Sequence, residues 1–252
     1  MSIYLGAGST AHKMSKLYVG VSGQARQVQK VYVGVGGQAR LVYQSWQSIG
    51  GLAVGSIVKI KVNGAAKDFI VVQQGNPDAS IYDSSCDGTW LLMKNIYTTS
   101  TFGNNNSYKK SGIHTYLNGT FYDLINFKIR SAIKQVKIPY INGVIQSGTN
   151  GFSTKVFLLS GTEVGFSNVS YMNTEGTKLA YFDSVSKRIA YNGSRAAVWW
   201  LRSPNPSSSL GVWSVESDGS SDRWNCNYTH GVRPALILPS TTLVDDNNNV
   251  IG

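Results

Sequence analysis

The sequence predicts an α+β protein: a head of short strands, one or two helices and long loops, behind an arm of β-hairpin repeats. Three observations lead there. Gly (27) and Tyr (14) are abundant among 252 residues, while Glu occurs only at Glu163, Glu175 and Glu216, so exposed helix faces lack a favoured residue. A period of 14 residues near the start repeats a strand-turn-strand pattern. One stretch alone, residues 111–134, carries clear helical spacing.

The arm comes first. Residues 16–29 (KLYVGVSGQARQVQ) and 30–43 (KVYVGVGGQARLVY) agree at ten of fourteen positions. Each copy sets a β-branched and aromatic run before Ser22-Gly23 or Gly36-Gly37, and Gly supplies the positive φ of a two-residue hairpin turn. Isolated hairpins are marginal, so residues 1–45 read as an attachment or oligomerisation arm with Tyr18, Arg26, Tyr32 and Arg40 as contacts. The stretch Gly34-Val-Gly36-Gly-Gln-Ala39 is no dinucleotide site, because neither a helix nor an acidic residue follows at the required spacing.

The head spans residues 46–252. LAVGSIVKIKV and KDFIVVQQ read as strands paired around Asn63-Gly64, and TWLLMKNIY as another. Between residues 111 and 134, Ile113, Tyr116 and Leu117 share one face and Phe121, Leu124 and Ile125 the next, with Gly119 predicted to split two helices. KVFLLS, RIAYNG, VWWLRS, GVWSVES and GVRPALILP follow as short strands, and the tail TTLVDDNNNVIG as an edge strand or loose end.

The formal net charge is +10, and residues 1–66 hold seven Lys or Arg without one Asp or Glu. These cations are spaced singly and no finger or RNP-like motif accompanies them, so a solvated face or an acidic protein partner is expected rather than nucleic acid. No run of about 18 apolar residues suggests membrane insertion. Two cysteines, Cys86 and Cys226, are too few for a disulfide scaffold.

Chemistry has few carriers. His12, His114 and His230 are the only histidines, and no HExxH, GxSxG, P-loop or CxxC pattern occurs. A glycosidase pair could draw on Glu163, Glu175, Asp183, Glu216, Asp218 or Asp222, but Asp218-Gly219 and Asp183-Ser184 read as turns. No catalytic residue, cofactor or metal is expected, and the chain is not read as an enzyme.

Residues 199–233 are the most informative, with four of the six tryptophans among Ser, Asn, Gly and Pro. Trp199, Trp200 and Trp213 should anchor loops to a core. Amphipathic rings, amides and guanidinium groups on loops suit recognition of a sugar or a protein surface. The candidate ligand contacts are Arg202, Asn205, Trp213, Asp222, Arg223, Trp224, Asn225, Asn227, Tyr228 and His230, while Trp200 and Arg233 are expected to be structural.

These residues also carry a resemblance. Ile113-x-x-Tyr116-Leu117-Asn118, Phe121-Tyr122 and Ala132-Ile133, then residues 155–160, 188–191, 199–204 and 231–235 in that order, resemble an uncharacterised domain family of surface and prophage proteins in Gram-positive bacteria. The resemblance covers about residues 50–238 and implies a C-type-lectin-like, formylglycine-generating-enzyme-like fold. The 14-residue repeats are similar to hairpin repeats at the start of phage tail and other virion proteins. Ser203-Pro204-Asn205 and Trp224-Asn225-Cys226 depart from the calcium-lectin motifs, so calcium is not expected.

The resemblance implies a phage tail-tip, baseplate or fibre protein, made in the host cytoplasm and working outside the cell, whose loops bind a host-surface glycan or protein. Homo-oligomers and contacts with other virion proteins are expected. Two alternatives stay open: a baseplate or tail connector touching only virion proteins, and a display protein whose loops a retroelement diversifies.

Overall fold

A turn with positive φ at Asn63 (49°) and Gly64 (74°) folds Ile57–Val62 back onto Ala65–Gln74, as the sequence predicts. In Ile57–Val62 the residues Val58, Ile60 and Val62 are buried while Lys59 and Lys61 face water, the period-2 alternation of a half-covered strand. The computed structural model describes residues 4–7, 10–13, 17–28, 30–44, 46–142 and 144–251. This hairpin is the edge of a five-stranded sheet in the order Val156–Phe157, Ala235–Leu238, Thr89–Met93, Ala65–Gln74, Ile57–Val62, antiparallel throughout. Thr89–Met93 is buried at every position and reads as the covered centre.

A second five-stranded sheet runs Thr98–Thr101, Thr229–Val232, Trp199–Pro204, Gly211–Val215, Ser221–Asn225, with one parallel contact at Trp199 and Gly231. Trp199 and Trp200 are both wholly buried, and successive strand residues face opposite sides. Each indole N–H finds a carbonyl: Trp199 donates to Arg188 O at 3.0 Å and Trp200 to Ser100 O at 3.0 Å. The tail is tied down, because Leu243–Val244 pairs with both Val250–Ile251 and Gln47–Ser48.

The α+β, lectin-like expectation is overturned. Among the described residues strand makes up 41% and helix 14%, the helix lies in short segments, and the sheets are small with no closed barrel. Tertiary pairing is the physical reason. The chain is helical through Gly112–Tyr116, a π-helical turn at Leu117–Phe121, and Tyr122–Leu124, so Gly119 breaks nothing. The break comes at Ile125, which bridges to Val62 while Asn63 N–H donates to Leu124 O at 2.8 Å. Sheet pairing therefore ends the helix, and the short helix Phe127–Ala132 follows.

Both 14-residue repeats are hairpins, Tyr18–Val21 with Gln24–Gln27 and Lys30–Val35 with Gln38–Gln44, turning at positive φ on Ser22-Gly23 and Gly36-Gly37. A further hairpin, Tyr4–Ala7 with Thr10–Lys13, was not anticipated and carries His12. Among the described residues each hairpin is a sheet of two strands.

One polar cluster sits inside the apolar core. The Arg202 guanidinium, 0% exposed, meets the Glu163 carboxylate two-pronged, Nη2 to Oε1 at 2.8 Å and Nη1 to Oε2 at 2.5 Å. It also donates to Pro139 O and Leu158 O and lies 3.4 Å from Glu175 Oε1. Tyr82 Oη–H and Ser160 N–H donate to Glu163, while Ser203 Oγ–H and Ile141 N–H donate to Glu175. Burial pushes the Glu175 carboxyl up, with Arg202 opposing.

Arg202→Ala strands Glu163 without its partner, and chemical denaturation should show a loss of about 3–5 kcal/mol. The raised Glu175 pKa stabilises the fold fully below the ordinary 4.5 and loses that contribution as pH rises through the folded value. Glu175→Gln, which fixes the neutral form, should flatten this part of the melting-temperature profile; an unchanged profile would rule the assignment out.

Candidate functional site

The outer edge of the second sheet is the hairpin of Gly211–Val215 and Ser221–Asn225. Its turn is the one the sequence marks: Gly219 has φ 85° and Asp218 Oδ1 accepts from Ser220 N–H and Oγ–H. The register sets Trp213 opposite Arg223 and Gly211 opposite Asn225, alternating with Ser214 opposite Asp222 and Val212 opposite Trp224. Directly paired residues share a face and neighbours along a strand do not. Arg223 and Asn225 therefore stand on one side of the sheet, and Asp222 and Trp224 on the other.

On the Arg223 side lies a cleft of about 600 Å3. Tyr171, held at φ 64°, lends its exposed ring, and the Arg223 guanidinium lies 5.4 Å from the ring centroid. The buried Trp213 indole donates to Tyr171 O at 3.2 Å, which fixes that loop against the sheet. The opposite wall is the segment 205–210. Asn205 closes it by donating N–H to Gly211 O and accepting from Ser207 N–H, and Asn106 Nδ2 clamps it to Asn205 O and Ser208 O. A second cleft of about 350 Å3 shares Asn205 and Ser208 and adds Asn173 and Pro204.

The other side carries an aromatic column. His230 lies 4.7 Å from the buried Trp200 ring and 5.1 Å from Trp224, which lies 5.2 Å from the exposed Tyr228. Glu216 Oε1 accepts from Trp224 Nε1–H and Ser214 Oγ–H. His230 Nε2 is buried without a hydrogen-bond partner among the described residues, and burial holds the ring below its usual pKa against the pull of Glu216.

The sequence-predicted contacts thus fall into three groups. Arg223, Asn225 and Asn205 line the first cleft, although Asn205 is only 5% exposed and shapes the wall more than it offers contacts; Trp224 borders it as their chain neighbour, while its indole packs against His230 and Tyr228 in the column. Asn227, Tyr228 and Asp222 are exposed, with His230 half-buried behind them. Arg202 and Trp213 are corrections: at 0% and 4% exposure they belong to the core, because Glu163 and the Tyr171 carbonyl take their polar groups. Trp199, Trp200 and Arg233 are buried as expected, the last over the Trp199 ring at 4.9 Å. In the arm, Tyr18, Arg26, Tyr32 and Arg40 are all exposed.

Tyr171, Ser207 and Ser208 were missed. Tyr171 sits in an irregular segment with no periodicity, and only the fold brings it beside Arg223. Glu163 and Glu175 are shut from water, so as a carboxylate pair they hold Arg202 and reach no substrate. Cys86 and Cys226 are buried free thiols, the first pushed up to about 12 by burial. Among the described residues no group of three or more His, Cys, Asp or Glu is placed to hold a metal. No helix there is long and apolar enough to cross a membrane.

Residues 87–240 match a family described as a domain of unknown function, DUF6273. The chain belongs to that family. The DUF6273 span contains the whole second sheet, the cleft, the aromatic column and Arg202 with both glutamates. It leaves out the hairpin Ile57–Val62 and Ala65–Gln74, which completes the first sheet, and the three hairpins before it. Neither the curated proteins nor the solved structures compared with the chain give a match.

Because the His230 pKa is depressed, its contribution to stability is present above the ordinary 6.5 and is lost as pH falls through the folded value. His230→Phe, which keeps the ring stack and cannot protonate, should melt less steeply with falling pH than the parent. Parallel profiles for the two proteins would show that His230 is not the titrating group.

Proposed function

We propose that the chain is a virion attachment protein, a component of a phage tail tip, baseplate or fibre that binds a host-surface glycan or protein and catalyses nothing. The observation that carries this reading is the cleft between Tyr171, Arg223 and the segment 205–210. It combines an exposed aromatic face, a guanidinium and several amides and hydroxyls on loops held by a rigid sheet. Aromatic faces cover the apolar side of a sugar, and amides and hydroxyls satisfy its hydroxyl groups. A single open cleft binds weakly, and several copies on one particle would multiply its effect.

A second reading, the connector, has its own support. Tyr18, Val19, Val21, Tyr32, Val33, Val35 and Leu41 are 40–55% exposed on hairpins that form two-stranded sheets among the described residues. Exposed apolar side chains beside open strand edges suit packing against another protein. The two readings are compatible, the hairpins docking on the particle and the cleft facing outward.

The test is binding of labelled protein to purified Gram-positive cell walls, beside Ser207→Trp. Ser207 lines the cleft and is exposed, so the indole blocks the site while the fold melts unchanged. Wall binding that Ser207→Trp reduces at least tenfold is the expected result. No wall binding by the parent, or equal binding by the variant, would move the function to the connector.

A further inference from the structure

We infer that the Tyr171–Arg223 cleft recognises an oxyanion carried on a polyhydroxylated chain, with Arg223 taking the anion and the Tyr171 ring taking the carbon face beside it. This rests on the recognition reading above and names its ligand class. Among the described residues Arg223 is the one charged residue lining the cleft, and no carboxylate lines it. Its guanidinium makes no hydrogen bond or ion pair among the described residues, and Asp222 offers none because strand alternation sends it to the other face. Asp222 Oδ1 instead accepts from the Arg223 backbone N–H at 2.7 Å.

Arg223 is also pre-oriented. The cation–π contact at 5.4 Å from the Tyr171 centroid holds the guanidinium beside the cleft, with its N–H groups unpaired among the described residues. A planar fork matches two oxygens of a carboxylate or phosphate, which a lysine ammonium does not. Asn225 and Ser207 add amide and hydroxyl groups within the same cleft, suited to the hydroxyls of a sugar or polyol. The exposed position means this attraction weakens as salt rises.

Two sources carry that chemistry, a polyol phosphodiester and an acidic saccharide. The experiment titrates the intact protein by calorimetry with oligo(glycerol phosphate), with oligogalacturonate and with a neutral oligoglucoside of matched length. The parent should bind at least one anionic probe and not the neutral one, with affinity falling as salt is added. Arg223→Gln and Tyr171→Ala should each weaken binding at least tenfold without changing the melting temperature, and Arg223→Lys should not restore it. Binding of the phosphate probe alone identifies a polyol phosphate; binding of the uronate alone identifies an acidic saccharide. Equal binding of the neutral probe, or full binding by Arg223→Gln, overturns the inference. A parent that binds cell walls but neither anionic probe also overturns it while leaving the attachment reading standing. A parent that binds no wall fails that reading instead.

Discussion

The two-pronged contact between Arg202 and Glu163 is the constraint on which the irregular half of the head depends. Among the described residues no strand lies between residues 158 and 190, so backbone ladders do not hold this stretch to the sheets. The guanidinium does so by drawing in Pro139 O, Leu158 O and Glu163, while Ser203 on its own strand binds Glu175. Glu163 and Glu175 are the two feet of a long loop, and Tyr171 is near its tip. A dry ion pair adds little stability over a well-packed apolar replacement, yet its geometry admits few alternatives. Here it fixes where a loop with no regular structure must start and return, and so places the Tyr171 ring over the sheet.

The sheet edge then divides labour by alternation. Arg223 and Trp224 are neighbours in the chain and belong to opposite faces, one to an open cleft and one to a packed aromatic column. The column runs from the core outward through Trp200, His230 and Trp224 to Tyr228, so the exposed ring rests on buried ones. That stiffens the hairpin whose other side carries Arg223. Rigidity behind a binding face lowers the ordering cost of association.

Much of this was legible in the sequence wherever turn chemistry is local. Asn63-Gly64, Ser22-Gly23, Gly36-Gly37 and Asp218-Gly219 announce hairpins because few residues tolerate positive φ, and all four turns are present. The tryptophan anchors were legible for a similar reason, since large rings between polar loop residues have to be buried somewhere. Helix was overestimated because periodicity ignores competition: Ile125 fits a helix face, but pairing with Val62 wins. The cleft was half legible. Arg223 and Asn225 stood in a loop-rich stretch, whereas Tyr171 reaches them only through the glutamate-anchored loop. Arg202 misled because a charged residue in VWWLRS reads as surface, and nothing in the spacing to Glu163 or Glu175 marks them as its partners.

The strand order also sets a schedule for synthesis. Thr89–Met93 at the heart of the first sheet needs Ala235–Leu238 beside it, and Thr98–Thr101 in the second needs Thr229–Val232. Both partners leave the ribosome more than a hundred residues later, and pairings so distant in the chain close slowly. The three leading hairpins, by contrast, are complete as soon as their own turns emerge. A nascent chain therefore displays finished hairpins while its most apolar strands wait uncovered. A premature stop anywhere before residue 229 would leave both sheets short of an inner strand and release a species prone to aggregate. For this architecture residues 229–238 are a closing step for the whole head, and a truncation that removes them is the damage it tolerates least.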